Sequence, residues 1–317
     1  MNNKVRTFVY IILGIFGVII AFQSYYILKL NGTLVKKAPG TDSVKIEVKN
    51  EDAVKVRFTL APMPPKMDFC EEEVPMNDQE VFERMEFEWV SAQNRTTANW
   101  MILKRSTRYF PIIEPILKQN GLPDDFKYLA VAESNLANVT SPANAEGFWQ
   151  FLAETGQGFG LEINKMVDER YDVAKATQAA CNYLTAAYET FGSWTLAAAS
   201  YNMGQGGLAD EIDFQKQNNY YKLRLNSETS KYVFRIITWK YIISNPASIG
   251  MEWDAKMGQQ LPLTRKVEVT SSIPDLVDWS IKQGTDYKTL KYLNPWLRSD
   301  KLEVRGGKTY TIQLPVK

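Results

Sequence analysis

The helical spacing of apolar residues between about residues 79 and 245 most constrains how this chain can fold. The apolar residues of QEVFERMEFEWVSAQ, interleaved with acids, are Val81, Phe82, Met85, Phe87 and Trp89. A second run, ANWMILKRSTRYFPIIEPILKQNG, ends at Gly121, and Pro123 opens the next helix. Apolar residues that recur every three to four positions form one buried helix face. We therefore predict a mainly α domain at 79–250, with its core at 100–245.

A long apolar segment precedes this domain. Residues 8–28, FVYIILGIFGVIIAFQSYYIL, would span about 31 Å as a helix, enough to cross the hydrocarbon core of a bilayer. Lys4 and Arg6 lie before it, which places the N-terminus on the cytoplasmic side. We expect residues 1–30 to anchor the chain in a membrane. A cleaved signal peptide is the alternative, although the segment is long and no A-x-A-like site ends it.

The remaining segments differ from the helical region in composition. Residues 31–78 mix a short alternating run with turn formers, prolines and acids, and we predict an extracytoplasmic stem. Residues 251–265 are expected to be a linker. In 266–317, KVEVT and KTYTIQLP have strand character and flank two short helical runs. The C-terminal segment is therefore predicted to be a small β-α-α-β module.

Composition excludes several kinds of chemistry. The 317 residues include no histidine, so Ser-His-Asp and Cys-His catalysis and histidine-containing zinc sites are excluded. Acid-base chemistry near neutral pH must then rely on carboxylates. The 37 basic and 36 acidic side chains are nearly balanced, which gives no reason to expect nucleic acid as a partner. Cys70 and Cys181 could form one disulfide, although Cys181 lies in a helical pattern where a buried thiol is the usual role.

Glu133 lies at the end of an apolar helical stripe in DDFKYLAVAES. Positions three, four and seven before it are Ala130, Leu129 and Phe126. Burial among such neighbours raises the pKa of a carboxyl group, which suits a general acid at neutral pH. The alternative is a helix-terminal glutamate that reaches solvent past its apolar neighbours.

Five ordered motifs surround this position. They are Glu133-Ser134, Ser141-Pro142, EGFWQF at 146–151, AASYNMGQGG at 198–207 and ETSKYV at 228–233. In this order they resemble the soluble lytic transglycosylase family, which has a lysozyme-like fold. The resemblance covers about residues 100–245, and it implies cleavage of the MurNAc-GlcNAc β-1,4 bond of peptidoglycan with 1,6-anhydroMurNAc ends. It also implies that one glutamate, matching Glu133, acts as acid and then as base, without a cofactor or metal.

The same resemblance implies a set of substrate-binding residues, all short polar or phenolic side chains. They are Ser141, Gln150, Tyr201, Asn202, Glu228 and Tyr232. The family pattern places the tyrosine hydroxyl of the AYN motif, here Tyr201, close to the catalytic carboxyl. An ordinary amphipathic helix is an equally simple account of Tyr232. Trp149 is expected in the core or on the floor of the groove.

Two alternatives of other classes stay open. A hydrolytic muramidase of the same fold would need a second carboxylate, and Glu146 is the obvious candidate. A non-catalytic peptidoglycan-binding scaffold is the other alternative. Asp168, Glu169 and Asp172 in VDERYD are expected to start a helix or to pair with Arg170.

The C-terminal segment resembles a LysM module, a small carbohydrate-binding unit. YKTLKYLNP and GKTYTIQLP fit its second half, whereas TSSIPD replaces the usual Gly-Asp-Thr turn. The resemblance predicts glycan strands as the partner. Together with the apolar N-terminal segment, it predicts a location in the envelope of a Gram-negative bacterium. The chain would be anchored in the inner membrane with its catalytic domain in the periplasm. We expect it to be a monomer.

Overall fold

The computed structural model describes residues 60–316. The expected membrane helix at 8–28 and most of the expected stem lie outside this range. Within residues 60–316, no helix combines the length and apolar character needed to cross a membrane.

The described chain is mainly α, as the apolar spacing predicted. Its helices are α1 Gln79–Gln93, α2 Thr96–Gln119, α3 Lys127–Ser134, α4 Ala153–Gly158, α5 Val173–Phe191, α6 Trp194–Met203, α7 Gln205–Gln215, α8 Thr229–Ser244, α9 Leu276–Lys282 and α10 Tyr287–Leu293. Short 3-10 turns separate some of them, including Asp124–Phe126, which leads directly into α3. One large apolar core contains residues of α1 to α3 and of α5 to α8.

Local rules explain where these helices begin and which face they bury. The carboxylate of Asp78 accepts hydrogen bonds from the backbone N–H groups of the first turn of α1. Val81, Met85 and Trp89 are buried along one face of that helix, whereas Phe82 is 38% exposed. The helical period therefore separates apolar residues that the sequence alone left as one group.

A hairpin of two-residue strands lies before α1, in the region that the sequence predicted as a stem. Strands β1 Asp68–Phe69 and β2 Glu72–Glu73 pair antiparallel, and Met67, Phe69 and Val74 lie in the helical core. Its acids bind the helical domain: Asp68 pairs with Lys240 of α8, and Glu72 accepts from the backbone N–H groups that start α6. Residues 60–78 are thus packed against the helices, because their apolar side chains are buried and their acids are paired.

The C-terminal module has the predicted β-α-α-β order. Strands β3 Thr264–Val269 and β4 Tyr310–Pro315 pair antiparallel, with Thr264 opposite Pro315 and Val269 opposite Tyr310. Helices α9 and α10 lie between them in the chain, and Asp275, at the end of TSSIPD, caps α9 through two backbone N–H groups. TSSIPD, which replaces the usual Gly-Asp-Thr turn, therefore still provides a cap for the helix.

This module is docked on the helical domain. Val167 and Tyr171 belong to the apolar cluster of the C-terminal module, together with Leu297 and Ile312. The backbone N–H of Asp168 donates to the carbonyl of Trp296 at 2.9 Å. The connecting segment also packs on α2, because the rings of Trp100 and Trp253 lie 6.0 Å apart. The cysteines Cys70 and Cys181 are both buried and are not bonded to each other.

Candidate active site

The catalytic candidate Glu133 lies in the last turn of α3. The preceding stripe is as predicted, since Phe126, Leu129 and Ala130 are fully buried. The helix ends immediately afterwards because Asn135 adopts a left-handed conformation with φ of 52°. The hydroxyl of the buried Ser134 donates to the carbonyl of Phe148 at 2.8 Å, which fixes this helix end to the 146–151 segment.

Tyr232 of α8 is the tyrosine that contacts the catalytic candidate. Its hydroxyl donates to Glu133 Oε1, across 99 positions of sequence. Tyr201, whose hydroxyl the family pattern places close to the catalytic carboxyl, donates to the carbonyl of Trp149 at 2.8 Å. Tyr201 lies within an aromatic cluster, with its ring 5.0 Å from that of Tyr183. It still lies close enough for the Glu133 charge to raise its pKa further, after burial.

Burial raises the pKa of Glu133 to about 7. The hydrogen bond from Tyr232 opposes this shift, the negative charge of Glu228 adds to it and the positive charge of Arg235 opposes it. The side chain is enclosed by protein atoms yet stays partly accessible to solvent. A carboxyl group with this pKa is protonated in an appreciable fraction of molecules at neutral pH, as a general acid requires.

Ser141 and Gln150 lie in one tightly bonded loop after α3. The hydroxyl of Ser141 accepts from the backbone N–H of Ala145 at 3.0 Å. The amide of Gln150 donates to the carbonyls of Val139 and Gly147, at 2.9 and 2.7 Å. In the described part of the chain, neither side chain bonds to Glu133, and Gln150 Oε1 accepts no hydrogen bond. The free amide oxygen and the Ser141 O–H are therefore available to a hydroxyl-rich ligand.

Asn202 and Glu228 meet at the junction of α6 with the start of α8. The side-chain amide of Asn202 donates to Glu228 Oε1 at 3.3 Å, and its oxygen accepts from the hydroxyl of Thr229 at 2.7 Å. Glu228 is exposed and close enough to Glu133 to affect its pKa. Glu228 therefore presents a second carboxylate near the catalytic candidate.

Glu146 is bound by an internal ion network. Its carboxylate accepts from Arg170 at 3.0 Å, and Arg170 also pairs with the buried Asp168 at 2.6 Å. Arg170 donates further to the carbonyl of Phe151 at 3.1 Å. Asp172 caps α5, as the sequence predicted for an acid of VDERYD. This arrangement indicates that Glu146 fixes the loop that carries Gln150.

Sequence reasoning missed Arg235 and Glu88. Arg235 lies three residues after Tyr232 on α8, and its guanidinium donates to the buried carboxylate of Glu88 on α1 at 3.3 Å. The i, i+3 spacing from Tyr232 could have indicated that Arg235 shares the helix face of that tyrosine. Trp149 is fully buried and its ring N–H donates to Thr177, so it belongs to the core. Among residues 60–316, no group of three or more Cys, Asp or Glu side chains converges as a metal site would require.

Comparison with known families identifies the helical region. Residues 110–224 match the Transglycosylase SLT domain. The chain carries a transglycosylase SLT domain. Glu133, Gln150 and Tyr201 all lie within the matched range. Residues 265–317 match the soluble lytic transglycosylase C-terminal LysM-like domain, which agrees with the β-α-α-β module.

Two curated relatives support the SLT domain assignment. Membrane-bound lytic murein transglycosylase D from Escherichia coli K12 is 28% identical over 214 residues, and the protein of the same name from E. coli O6:H1 gives the same values. The matched region is 64% of this chain and 45% of each relative. The chain thus matches less than half the length of these relatives.

Proposed function

We propose that the chain is a lytic transglycosylase that cleaves the MurNAc-GlcNAc β-1,4 bond of peptidoglycan. The observation that carries the proposal is Glu133, a carboxyl group with a pKa of about 7 at the end of a buried stripe. The SLT domain and the two relatives, whose names state lytic murein transglycosylase, support the same reaction. The LysM-like module supports peptidoglycan as the substrate.

In the proposed reaction Glu133 acts twice. The protonated carboxyl donates its proton to the glycosidic oxygen, and the bond from that oxygen to MurNAc C1 breaks. The resulting carboxylate then takes the proton of the MurNAc 6-hydroxyl, whose oxygen bonds to C1 as a 1,6-anhydro ring. Glu133 ends the cycle protonated, and no water is consumed. Stabilisation of C1 by the 2-acetamido group of the substrate would make a second protein carboxylate unnecessary.

The neighbouring side chains are assigned supporting roles. Tyr232 holds the carboxyl group of Glu133 in position through its hydroxyl. Ser141 and Gln150 would bind the sugar beside it, and the Asn202–Glu228 pair would close the opposite side of the groove. Polar groups with both donor and acceptor capacity suit a ligand rich in hydroxyl and amide groups.

The masses of digestion products separate this reaction from hydrolysis. Digestion of purified sacculi should release muropeptides with anhydro ends, each lighter by one water than the corresponding reducing end. Reducing ends throughout would establish a muramidase instead. The absence of any release would favour a binding scaffold.

The pH profile should follow the pKa of Glu133. Because the active form is protonated, kcat/KM should fall about tenfold per pH unit above about pH 7. The Tyr232 hydrogen bond lowers this pKa, so Tyr232→Phe should move the alkaline limb to higher pH. Both profiles are measured on soluble glycan strands. A limb that stays unchanged in Tyr232→Phe would contradict its assignment to Glu133.

The cellular setting remains a prediction. The cell envelope follows from the substrate and from the description of both relatives as membrane-bound. The inner-membrane anchor at 1–30, the periplasmic location and the monomeric state rest on the sequence. The division into a catalytic domain at 79–250, a linker at 251–265 and a glycan-binding module at 266–317 likewise remains a proposal.

A further inference from the structure

A large cavity lies where the C-terminal module meets the helical domain. Its volume is about 1230 Å³, above the roughly 300–1,000 Å³ of an ordinary small-molecule pocket. One wall includes Arg105 and Arg108 of α2 and Asn138, and the other includes Lys266 and Gln313 of the C-terminal sheet. Glu133 and Tyr232 do not line it. Asn138 belongs to the loop that follows α3, so this intermodule cleft lies beside the candidate active site.

The two walls are held together by direct contacts. Val167 forms a bridge with Leu297, and the backbone N–H of Arg298 donates to the carbonyl of Met166 at 2.7 Å. The hydroxyl of Tyr310 donates to the carboxylate of Glu162 at 3.0 Å. A cleft fixed by contacts on both modules is preformed, and binding in it costs little conformational entropy.

The strands β3 and β4 present a polar face to the intermodule cleft. Lys266 lies opposite Gln313, and Glu268 opposite Thr311, and all four side chains line the cavity. The alternate residues, such as Val267 and Ile312, face the core of the module. The face that meets Arg105 and Arg108 therefore offers hydrogen-bonding groups and not an apolar surface.

Cations exceed anions in this lining. The charged residues are Arg105, Arg108, Lys175, Lys266 and Lys291 against Asp172 and Glu268. Asp172 is occupied by the backbone N–H groups that start α5. Within residues 60–316, Arg105, Arg108 and Lys266 form no ion pair, and the two arginines donate only to neutral oxygens. Guanidinium groups without a carboxylate partner favour an anionic ligand.

Most aromatic rings of the cleft are buried and cannot stack on a sugar. Trp296 and Tyr310 are 6% and 5% exposed and stack on each other at 5.8 Å. One face of Tyr171 is covered by the guanidinium of Arg298 at 4.0 Å. Tyr292 alone is largely exposed among these rings. The charged side chains of the cleft therefore indicate the class of ligand more clearly than its aromatic rings do.

We propose that the intermodule cleft binds the carboxylate-bearing stem peptide of peptidoglycan. This inference rests on the proposed function, because that peptide is attached to the MurNAc residues of the glycan that Glu133 would cut. Arg108 and Lys266 bind peptide carboxylates from opposite walls, and the polar strand face binds peptide amides. The enzyme then recognises the peptide and the glycan at two adjoining sites.

The test compares peptide binding by the full-length chain and two double variants. The cleft variant carries Arg108→Gln and Lys266→Gln. The control variant carries Lys118→Gln and Lys288→Gln, which remove two exposed positive charges of α2 and α10 outside the cleft. A synthetic stem tetrapeptide is titrated by calorimetry, alongside the same peptide with its carboxylates converted to amides.

The tetrapeptide should bind the parent chain and the control variant alike and bind the cleft variant about tenfold more weakly or worse. The parent chain should bind the amidated peptide more weakly than the tetrapeptide, by a similar factor. Equal affinity of all three proteins for the tetrapeptide, or no binding at millimolar peptide, would overturn the inference.

A second measurement separates this inference from the proposed function. Cleavage of peptide-bearing strands is compared with cleavage of strands stripped of peptide by an amidase. The cleft variant should lose its preference for peptide-bearing strands and keep its rate on stripped strands. An unchanged preference in the cleft variant would overturn the inference, whereas failure of the parent chain to cut either substrate would count against the proposed function alone.

Discussion

Glu133→Gln should reduce the release of glycan products from sacculi by about 10³-fold or more. General acid-base catalysis contributes about 10²–10⁴-fold, and here one residue performs both proton transfers. The amide keeps the size of the carboxyl group but can neither give up a proton to the glycosidic oxygen nor accept one from the 6-hydroxyl. Product release is followed by chromatography and mass analysis. Turnover near the parent rate would remove Glu133 from the mechanism.

Glu146→Gln is the matched control, because it makes the same chemical change in a carboxylate of the loop that follows α3. Glu146 is bound to Arg170 and lies in the ion network that fixes the 146–151 segment. We expect most of the activity to remain, with a small loss of stability from the weakened pair. A loss as large as that of Glu133→Gln would revive a two-carboxylate hydrolase.

The folded state of Glu133→Gln can be checked through the pH dependence of stability. The pKa of Glu133 is raised from 4.5 to about 7, so the native chain retains a proton that the unfolded chain has lost in that interval. The contribution of this group to the free energy of unfolding therefore falls as pH rises from about 4.5 to 7. Glu133→Gln does not lose this stability as pH rises. Above pH 7 its melting temperature should therefore be no lower than that of the parent chain.

The apolar stripe before Glu133 could be predicted from the sequence because it is local. Its residues Ala130, Leu129 and Phe126 lie three, four and seven positions before Glu133, and helical periodicity places them on one face. The choice between Tyr201 and Tyr232 depends on how α6 and α8 pack against α3. No local pattern fixes that packing, so the sequence could not show that Tyr232 is the tyrosine that donates to Glu133.

The fold shows the same division between local and long-range information. Helix existence and the β-α-α-β order followed from periodicity. The acids and prolines of 60–78 indicated a stem. The partners of these acids, Lys240 and the start of α6, lie more than 100 residues away in the sequence, so no local pattern predicts the contacts. Docking of the C-terminal module depends on surface complementarity between Val167 and Leu297, and residue composition does not encode it.

Gly147→Ala should destabilise the chain by about 3 kcal/mol or more, the second large effect that the structure predicts. Gly147 has φ of +82°, and a Cβ placed there would lie 1.9 Å from the backbone carbonyl oxygen of Arg170. No rotamer change relieves this contact, because the backbone of residue 147 fixes the Cβ and the oxygen belongs to the backbone of Arg170. With about 2–4 °C for each kcal/mol in a chain of this size, the melting temperature should fall by about 6 °C or more.

Gly121→Ala separates this clash from the cost of a positive φ. Gly121 has φ of +72°, and nothing lies within 4 Å of a Cβ built there, so about 1 kcal/mol of backbone strain is expected. Only Gly147→Ala should also lower activity in the fraction that folds, because separating residue 147 from Arg170 loosens the Arg170–Phe151 bond and the loop that carries Gln150. Equal melting temperatures for the two variants would contradict the close packing of this loop on Arg170. A larger loss of melting temperature for Gly147→Ala would show that close packing on Arg170 stabilises the chain. With a loss of activity, it would show that the same packing positions the loop beside Glu133.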